Sequence, residues 1–106
     1  MTFQVKMLRR ANADFANIVA YLHERSPRGA AAWVTAFEKA KERLSENADC
    51  CPEADENHRH AIEVRQALFR TRRGRIYRLV FTIVGGEVRI LRIRGSGQAQ
   101  IEPSDI

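Results

Sequence analysis

The sequence has only two cysteines in 106 residues, and these two, Cys50 and Cys51, are adjacent. Adjacent cysteines rarely bridge each other, because the ring that they would close is strained. A fold held together by disulfides is therefore not indicated, and both side chains are expected to be reduced thiols. The pair also lacks the separated Cys-x2-Cys spacing of structural zinc sites. We therefore expect no metal, although His58 and His60 follow in what reads as a polar loop.

Long apolar segments are missing as well. No run approaches the roughly 20 residues that cross a bilayer, and residues 1–4 show no charged segment followed by an apolar one, as a secretion signal would. We expect a cytoplasmic protein with no membrane partner and no cofactor. A hydrophobic content of 44% and a charged content of 29% are typical of one globular domain. We predict that domain at residues 1–98, followed by a C-terminal tail at 99–106.

Acidic residues are nearly absent from residues 65–94, which hold nine arginines and only Glu87. This segment has a net charge of +8, whereas residues 49–64 have a net charge of −4. All the cations of the basic segment are arginine, which binds phosphate or carboxylate with two hydrogen bonds better than lysine does. The segment should therefore attract a polyanion or an acidic protein.

The first half of the chain predicts two helices. Apolar residues recur at i, i+3, i+4 and i+7 within residues 9–24, which is the stripe of an amphipathic helix. Ser26 and Pro27 then suit the N-cap and the first position of a second helix, which is predicted to end near Glu46. Two helices joined by so short a break should form an antiparallel hairpin. Asp14 is interpreted as a solvated residue of the first helix.

Alternating patterns predict strands on both sides of the helices, with a two-residue hairpin signal at Gly85-Gly86. The predicted fold class is α+β, with the order β-α-α-β-β-β and an antiparallel sheet that packs one face on the helical hairpin. The strands are predicted at residues 2–8, 64–72, 75–84 and 87–94.

The pairing across the glycine hairpin leaves one question open. A regular register sets Phe81 against Ile90, which is apolar with apolar, but it also sets Leu79 against Arg92. Either a bulge near Ile90 shifts the pairing, or the sheet is apolar on parts of both sides. In both cases Arg78 lies on the face away from the helices, which we expect to be free for a ligand.

Three stretches span nearly the whole chain: ADFANIVAYLHERSPRGAAAWVTAF, VRQALFRTRRGRIYRLVF and VRILRIRGSG. In this order they resemble the RelE/ParE superfamily of toxins from type II toxin–antitoxin systems, also known as plasmid stabilisation proteins. The resemblance implies a compact toxin that an antitoxin neutralises by wrapping it in a hetero-oligomer. It also implies one of two targets, because ParE-like members inhibit DNA gyrase and RelE-like members cut mRNA on the ribosome.

The resemblance also assigns candidate site residues. A functional arginine of RelE-like enzymes, in a Tyr-Arg-φ-φ-Tyr/Phe strand, matches Arg78, and a basic position of the preceding strand matches Arg70 or Arg72. If the chain is a nuclease, Arg78 and Arg70 are the candidate catalytic residues. Candidates for binding nucleic acid or another target are Arg65, Arg72, Arg78 and Arg94. The structural alternative for those in strands is pairing with an acid from residues 49–64.

The sequence supplies charge stabilisation but few groups for proton transfer. RNA cleavage requires a general base and an acid, and arginine remains protonated near neutrality. Tyr77 is predicted to face the core, and no tyrosine or histidine follows Arg94. We therefore favour growth inhibition through gyrase. The alternatives are a ribosome-dependent mRNA endoribonuclease and a non-toxic module that binds nucleic acid or protein.

Overall fold

The computed structural model describes residues 2–54 and 62–95. Within these ranges the predicted α+β class and the order β-α-α-β-β-β are confirmed. The predicted tail at 99–106 lies outside the described residues, as do His58 and His60. The elements are β1 (Gln4–Met7), α1 (Arg9–Arg25), α2 (Pro27–Asn47), a short 3-10 turn (Ala48–Cys50), β2 (Arg65–Phe69), β3 (Tyr77–Val84) and β4 (Glu87–Gly95).

The two helices form the predicted hairpin around Ser26. The Oγ of Ser26 accepts a hydrogen bond from the Gly29 amide at 3.0 Å, and Pro27 takes the first helical position. Neither helix is both long and apolar enough to cross a membrane, as judged over the described residues. The apolar face of α2 packs on the sheet through residues spaced three and four apart: Ala30, Trp33, Phe37, Ala40 and Leu44.

The sheet is mixed rather than wholly antiparallel, with the strand order β1-β4-β3-β2. Strands β2, β3 and β4 form the predicted antiparallel meander, whereas β1 pairs parallel to β4. The helical hairpin is the crossover that a parallel pair requires, and it returns the chain to the other edge of the sheet. Gly85 has a φ of 61° at the first turn position of the β3–β4 hairpin, as in a type II′ turn.

The strands on either side of the β2–β3 turn are shorter than predicted. β2 ends at Phe69 and β3 begins at Tyr77, because the charged residues between them have no apolar face to bury. The turn closes with a hydrogen bond of 3.2 Å from the Gly74 amide to the Thr71 carbonyl. Arg70, which was predicted inside a strand, therefore lies beyond the end of β2, and so does Arg72.

A bulge resolves the question of register in β4. Phe81 pairs with Ile90, and the next pair along the ladder is Val80 with Arg92. One residue of β4, Leu91, is therefore extra, so the bulge near Ile90, which the sequence left open as one of two alternatives, is present. The shift brings Ile93 opposite the buried Leu79 on the helix-facing side.

The sheet is also apolar on part of its second face, so both alternatives for the register hold. A small second core forms there from four buried residues: Ala54, Val64, Val80 and Leu91. The chain before β2 lies over this face, since the Thr82 hydroxyl donates to the Glu63 carbonyl at 2.8 Å. The expectation of a wholly free second face was therefore wrong. Within the described residues, this second core lies at Val80 and Leu91, and Arg78 and Arg94 beyond it are half-buried.

Candidate functional site

Two arginines lie opposite each other on the sheet face away from the helices. Arg78 of β3 and Arg94 of β4 are direct cross-strand partners, and both are half-buried. The Nη1 of Arg78 donates to the Gln66 Oε1 at 3.2 Å, which fixes the direction of this guanidinium. Like charges at directly opposed positions destabilise a sheet and raise the local positive potential. We call Arg78 and Arg94 the sheet-face pair.

Arg92, the next arginine on β4, is bound within the fold. Its Nε donates to the Asp14 Oδ2 at 2.7 Å, and the Ile93 amide donates to the same oxygen at 2.9 Å. Asp14 was interpreted as solvated, and this was wrong, since its side chain is only 15% exposed. β1 pairs with β4 only as far as Ile90, so α1 supplies the acceptor for the strand edge beyond. No local pattern signals this contact, because 78 residues separate Asp14 from Arg92.

Arg65 secures the segment that follows α2. Its Nη1 donates to the carbonyl oxygens of Cys51 at 2.6 Å and of Asp49 at 3.2 Å, and its Nη2 lies 2.6 Å from the Glu63 carboxylate. The structural alternative for Arg65 was pairing with an acid from residues 49–64, and the ion pair with Glu63 is such a pair. A role of Arg65 in binding a target stays a prediction.

Arg70 and Arg72 lie in a groove between α2 and the edge strand β2. The basic end of the groove has a volume of about 460 Å³ and includes Lys39 and Arg43 of α2 together with both of these arginines. None of the described residues that line it is acidic. Four cations along one open channel favour an acidic ligand. Lys39 and Arg43 of α2 were not predicted from the sequence as part of the site. Their signal in the sequence is the spacing of two exposed cations at i and i+4, which places them on one face of the helix.

The groove continues into an apolar end of about 400 Å³ that shares Arg43 and Leu68 with the basic end. Leu68 of β2 is 54% exposed there, which is unusual for a large apolar residue beside a cavity. We call the two ends together the α2–β2 groove. The residues that complete the apolar end are Ala40, Leu44, Asn47, Cys50, Cys51, Pro52, Gln66 and Ala67.

The two cysteines in the wall of this groove are free thiols, as predicted. Cys50 is exposed, whereas Cys51 is partly buried and its Sγ lies 3.7 Å from the Asn47 carbonyl oxygen. Burial raises the pKa of the Cys51 thiol, against the opposing effect of the nearby Arg65 guanidinium. Cys51 therefore stays protonated at neutral pH and is a poor nucleophile and metal ligand.

Groups suited to proton transfer do not meet the sheet-face pair within the described residues. Tyr77 packs its ring 5.4 Å from that of Trp33 in the main core and is 7% exposed, as its alternating position predicted. No group of three or more His, Cys, Asp or Glu side chains that could hold a metal ion occurs in residues 2–54 and 62–95. The arrangement can bind and stabilise negative charge at two separate surfaces.

Residues 5–100 match the family described as the ParE toxin of the type II toxin–antitoxin system parDE. The chain belongs to the ParE toxin family. The resemblance to RelE/ParE-type toxins is thereby confirmed. A solved structure described as the chromosomal ParDE toxin–antitoxin system from P. aeruginosa superposes with a TM-score of 0.68 over 89% of this chain and 96% of the other. At 24% identity this likeness shows the fold. The curated proteins include no match.

The five predicted arginines of this ParE-family chain therefore fall in three places. Arg78 and Arg94 form the sheet-face pair, Arg70 and Arg72 line the α2–β2 groove, and Arg65 holds the segment after α2. One predicted basic surface is thus two surfaces, separated by the edge strand β2. Each can bind a different partner.

Proposed function

We propose that this ParE-family toxin binds an acidic segment of its antitoxin in the α2–β2 groove and inhibits DNA gyrase through the sheet-face pair. The observation that carries the proposal is the division of the arginines between two surfaces of one small fold. Two separate basic surfaces would allow the toxin to hold its antitoxin on one and its target on the other. Gyrase acts on chromosomal DNA, so the proposed site of action is the cytoplasm.

The groove suits an acidic, amphipathic segment. Its basic end offers the guanidiniums of Arg43, Arg70 and Arg72, with no acid among the described residues that line it. Its other end offers an apolar wall next to the exposed Leu68. Carboxylates would steer the segment into the channel, and apolar side chains would then lose contact with water. A polynucleotide would also match the basic end, and the acidic protein is preferred because the family of this chain is that of a toxin–antitoxin system.

A charge reversal in the groove tests the antitoxin surface. Arg43→Glu places an acid where both ends of the groove meet, and we expect it to weaken binding of the cognate antitoxin by more than about 10-fold. Arg28→Glu is the matched control, because Arg28 is an exposed arginine of the same helix that lines neither end. Isothermal titration calorimetry measures both. Equal losses of affinity in the two variants would mean that only net charge matters and that the antitoxin does not bind in the groove.

Inhibition by binding suits the sheet-face pair better than cleavage. The pair supplies two permanent cations but no group that exchanges protons near neutral pH, and Tyr77 faces the opposite side of the sheet. The competing candidate is a ribosome-dependent mRNA endoribonuclease. It is favoured by one observation, namely that Arg78, which matches a functional arginine of RelE-like enzymes, has a second arginine directly opposite.

Two assays separate these functions. We expect the purified chain to inhibit gyrase supercoiling, with Arg78→Ala and Arg94→Ala each weakening inhibition by about 10-fold or more and Arg28→Ala having little effect. Toeprinting on ribosomes is the converse measurement. Codon-dependent cleavage that Arg78→Ala abolishes, without inhibition of gyrase, would establish the endoribonuclease instead. Normal growth of cells that express the chain alone would favour a non-toxic binding module.

A further inference from the structure

A third cavity lies where the turn of the helical hairpin meets the β2–β3 turn. It has a volume of about 370 Å³, within the range of small-molecule pockets. It shares only Thr71 with the α2–β2 groove, and neither member of the sheet-face pair lines it. We call it the hairpin pocket. Neither the gyrase nor the antitoxin surface proposed above includes it.

Three arginines, Arg25, Arg73 and Arg75, line the hairpin pocket, and the described part of the chain contributes no acidic side chain to it. Arg25 is held in place by Tyr21, since its guanidinium carbon lies 3.7 Å from the centre of the Tyr21 ring and its Nη1 donates to the Tyr21 carbonyl. The other two guanidiniums form no hydrogen bond or ion pair with the rest of the described chain. Guanidinium groups grouped in this way suit the oxygens of a phosphate.

The start of α2 forms part of the same wall through Ser26 and Gly29. α2 has 21 residues, so its N-terminus carries the partial positive charge of a full helix dipole. The Gly29 and Ala30 amides bond to Ser26, whereas the amide of Arg28 has no acceptor within the helix. This wall therefore favours the same sign of ligand as the three arginines do.

A residue of the pocket lining carries a buried donor without a partner. Trp33 lines the pocket and is 2% exposed, and its Nε1 has no hydrogen-bond partner among the described residues. Buried polar groups without partners are rare in native proteins. An indole N–H can only donate, so a ligand that satisfies it must present an acceptor at the apolar end. The walls on this side are Leu22 and the ring of Tyr77.

We propose that the hairpin pocket binds a nucleoside monophosphate, either as a free nucleotide or as the 5′-phosphorylated end of a nucleic acid strand. The phosphate would lie between Arg73, Arg75 and the start of α2, and the base would occupy the apolar end. The carbonyl or ring nitrogen of a base supplies the acceptor that the Trp33 N–H requires. An aliphatic side chain of an acidic peptide would fill the apolar end but leave that N–H without a partner.

The fluorescence of Trp33 reports directly on this pocket, because it is the only tryptophan of the chain. We expect AMP, GMP, CMP or UMP to produce a saturable change in its emission when titrated into the full chain. Inorganic phosphate should bind at least about 10-fold more weakly, because it makes no contact with the apolar end. A 5′-phosphorylated oligonucleotide that binds more tightly than its 5′-hydroxyl counterpart identifies a strand end as the source. A preference for the free nucleotide identifies the metabolite.

Matched variants of one turn test the site itself. Arg75→Ala and Arg73→Ala should each raise the dissociation constant by about 10-fold, since each removes a charged hydrogen bond. Arg72→Ala removes the same charge from the same turn but lines the groove instead, so we expect a change below about 2-fold, from screened long-range charge alone. Trp33→Phe, followed by calorimetry, should also weaken binding while keeping an aromatic ring in the core.

Several results would overturn the proposal. One is the absence of any saturable signal with all four nucleotides, while the thermal unfolding of the chain is normal. Another is a loss in Arg72→Ala equal to that in Arg75→Ala, which would mean non-specific attraction. A third is an affinity for inorganic phosphate equal to that for the nucleotides, which would mean that the base makes no contact with the pocket. Binding of a glutamate- and leucine-rich peptide in place of nucleotides would make the pocket a protein-docking site.

Discussion

Asp14 of α1 joins the helical hairpin to the last strand, and its removal is the largest stability change that we predict. The Oδ2 atom accepts hydrogen bonds from the Arg92 Nε at 2.7 Å and from the Ile93 amide at 2.9 Å, and the Oδ1 atom accepts from the Arg92 Nη2 at 3.0 Å. The side chains of Asp14 and Arg92 are each only 15% exposed. Asp14→Ala removes both acceptor oxygens, and with them all three hydrogen bonds, and leaves an edge amide of β4 without a partner.

We expect Asp14→Ala to lower the free energy of unfolding by about 3 kcal/mol. Breaking a buried ion pair by removing one partner costs about 3–5 kcal/mol. The lower end applies because water reaches part of this pair and because Arg92 takes part in another interaction in the fold. For a domain of this size, such a loss lowers the melting temperature by about 12–24 °C.

Urea unfolding followed by Trp33 fluorescence measures this loss. The matched control is Glu24→Ala, an exposed carboxylate on the same helix, for which we expect a change below about 0.5 kcal/mol. The double variant Asp14→Ala/Arg92→Ala should be more stable than the sum of the single losses predicts, by about 1–3 kcal/mol. If Asp14→Ala is no less stable than Glu24→Ala, the bond between α1 and β4 contributes nothing and the reasoning is refuted.

Three further predictions concern single positions. The Glu87 carboxylate has its pKa lowered below 4.5 by hydrogen bonds from Arg89 and then from Lys6, so wild type should be more stable than Glu87→Gln at neutral pH. That difference should vanish as acid titration passes below the lowered pKa, as denaturation at several pH values would show. With dithionitrobenzoate at pH 8, Cys51→Ser, which keeps the exposed Cys50, should react faster than Cys50→Ser, because burial raises the pKa of the Cys51 thiol. Gly85→Ala should cost about 1–2 kcal/mol in chemical denaturation because of its positive φ, whereas Gly86→Ala meets no atom within 4 Å and should cost less.

The sequence predicted the helices and the core-facing strands because both depend on local periodicity. The α2 stripe was correctly assigned to the core. The bulge near Ile90 was one of two alternatives that the pairing across the β3–β4 hairpin left open, and the structure contains it. The ends of β2 and β3 were predicted too long, because arginine-rich turns and arginine-rich strands have similar local patterns. The parallel pairing of β1 with β4 depends on which edge of the sheet the chain reaches after the two helices. No local sequence pattern encodes this.

The candidate site was only partly accessible from the sequence. The alternation of β3 was enough to place Arg78 away from the helices, and the resemblance selected the same residue. The division of the arginines between two surfaces was not predictable, because it depends on where β2 ends and on which α2 residues face its edge. The partner of Asp14 was hidden for the same reason, since tertiary contacts across 78 residues leave no periodic signal.

Leu68 of β2 connects the two proposed surfaces. It lines the α2–β2 groove at both ends and is also the cross-strand partner of Arg78, so an antitoxin segment in the groove would lie beside the sheet-face pair. Leu68 contributes apolar surface to the groove but no charge to the pair. With about half of the side chain available for burial, we expect Leu68→Ala to weaken antitoxin binding by about 5-fold, or about 1 kcal/mol, and to leave inhibition of the target unchanged. Calorimetry measures the binding of the antitoxin, and the supercoiling assay measures the inhibition of the target. Thermal unfolding checks that the fold of the variant is intact. An equal loss in both assays would mean that the groove and the sheet face act as one surface.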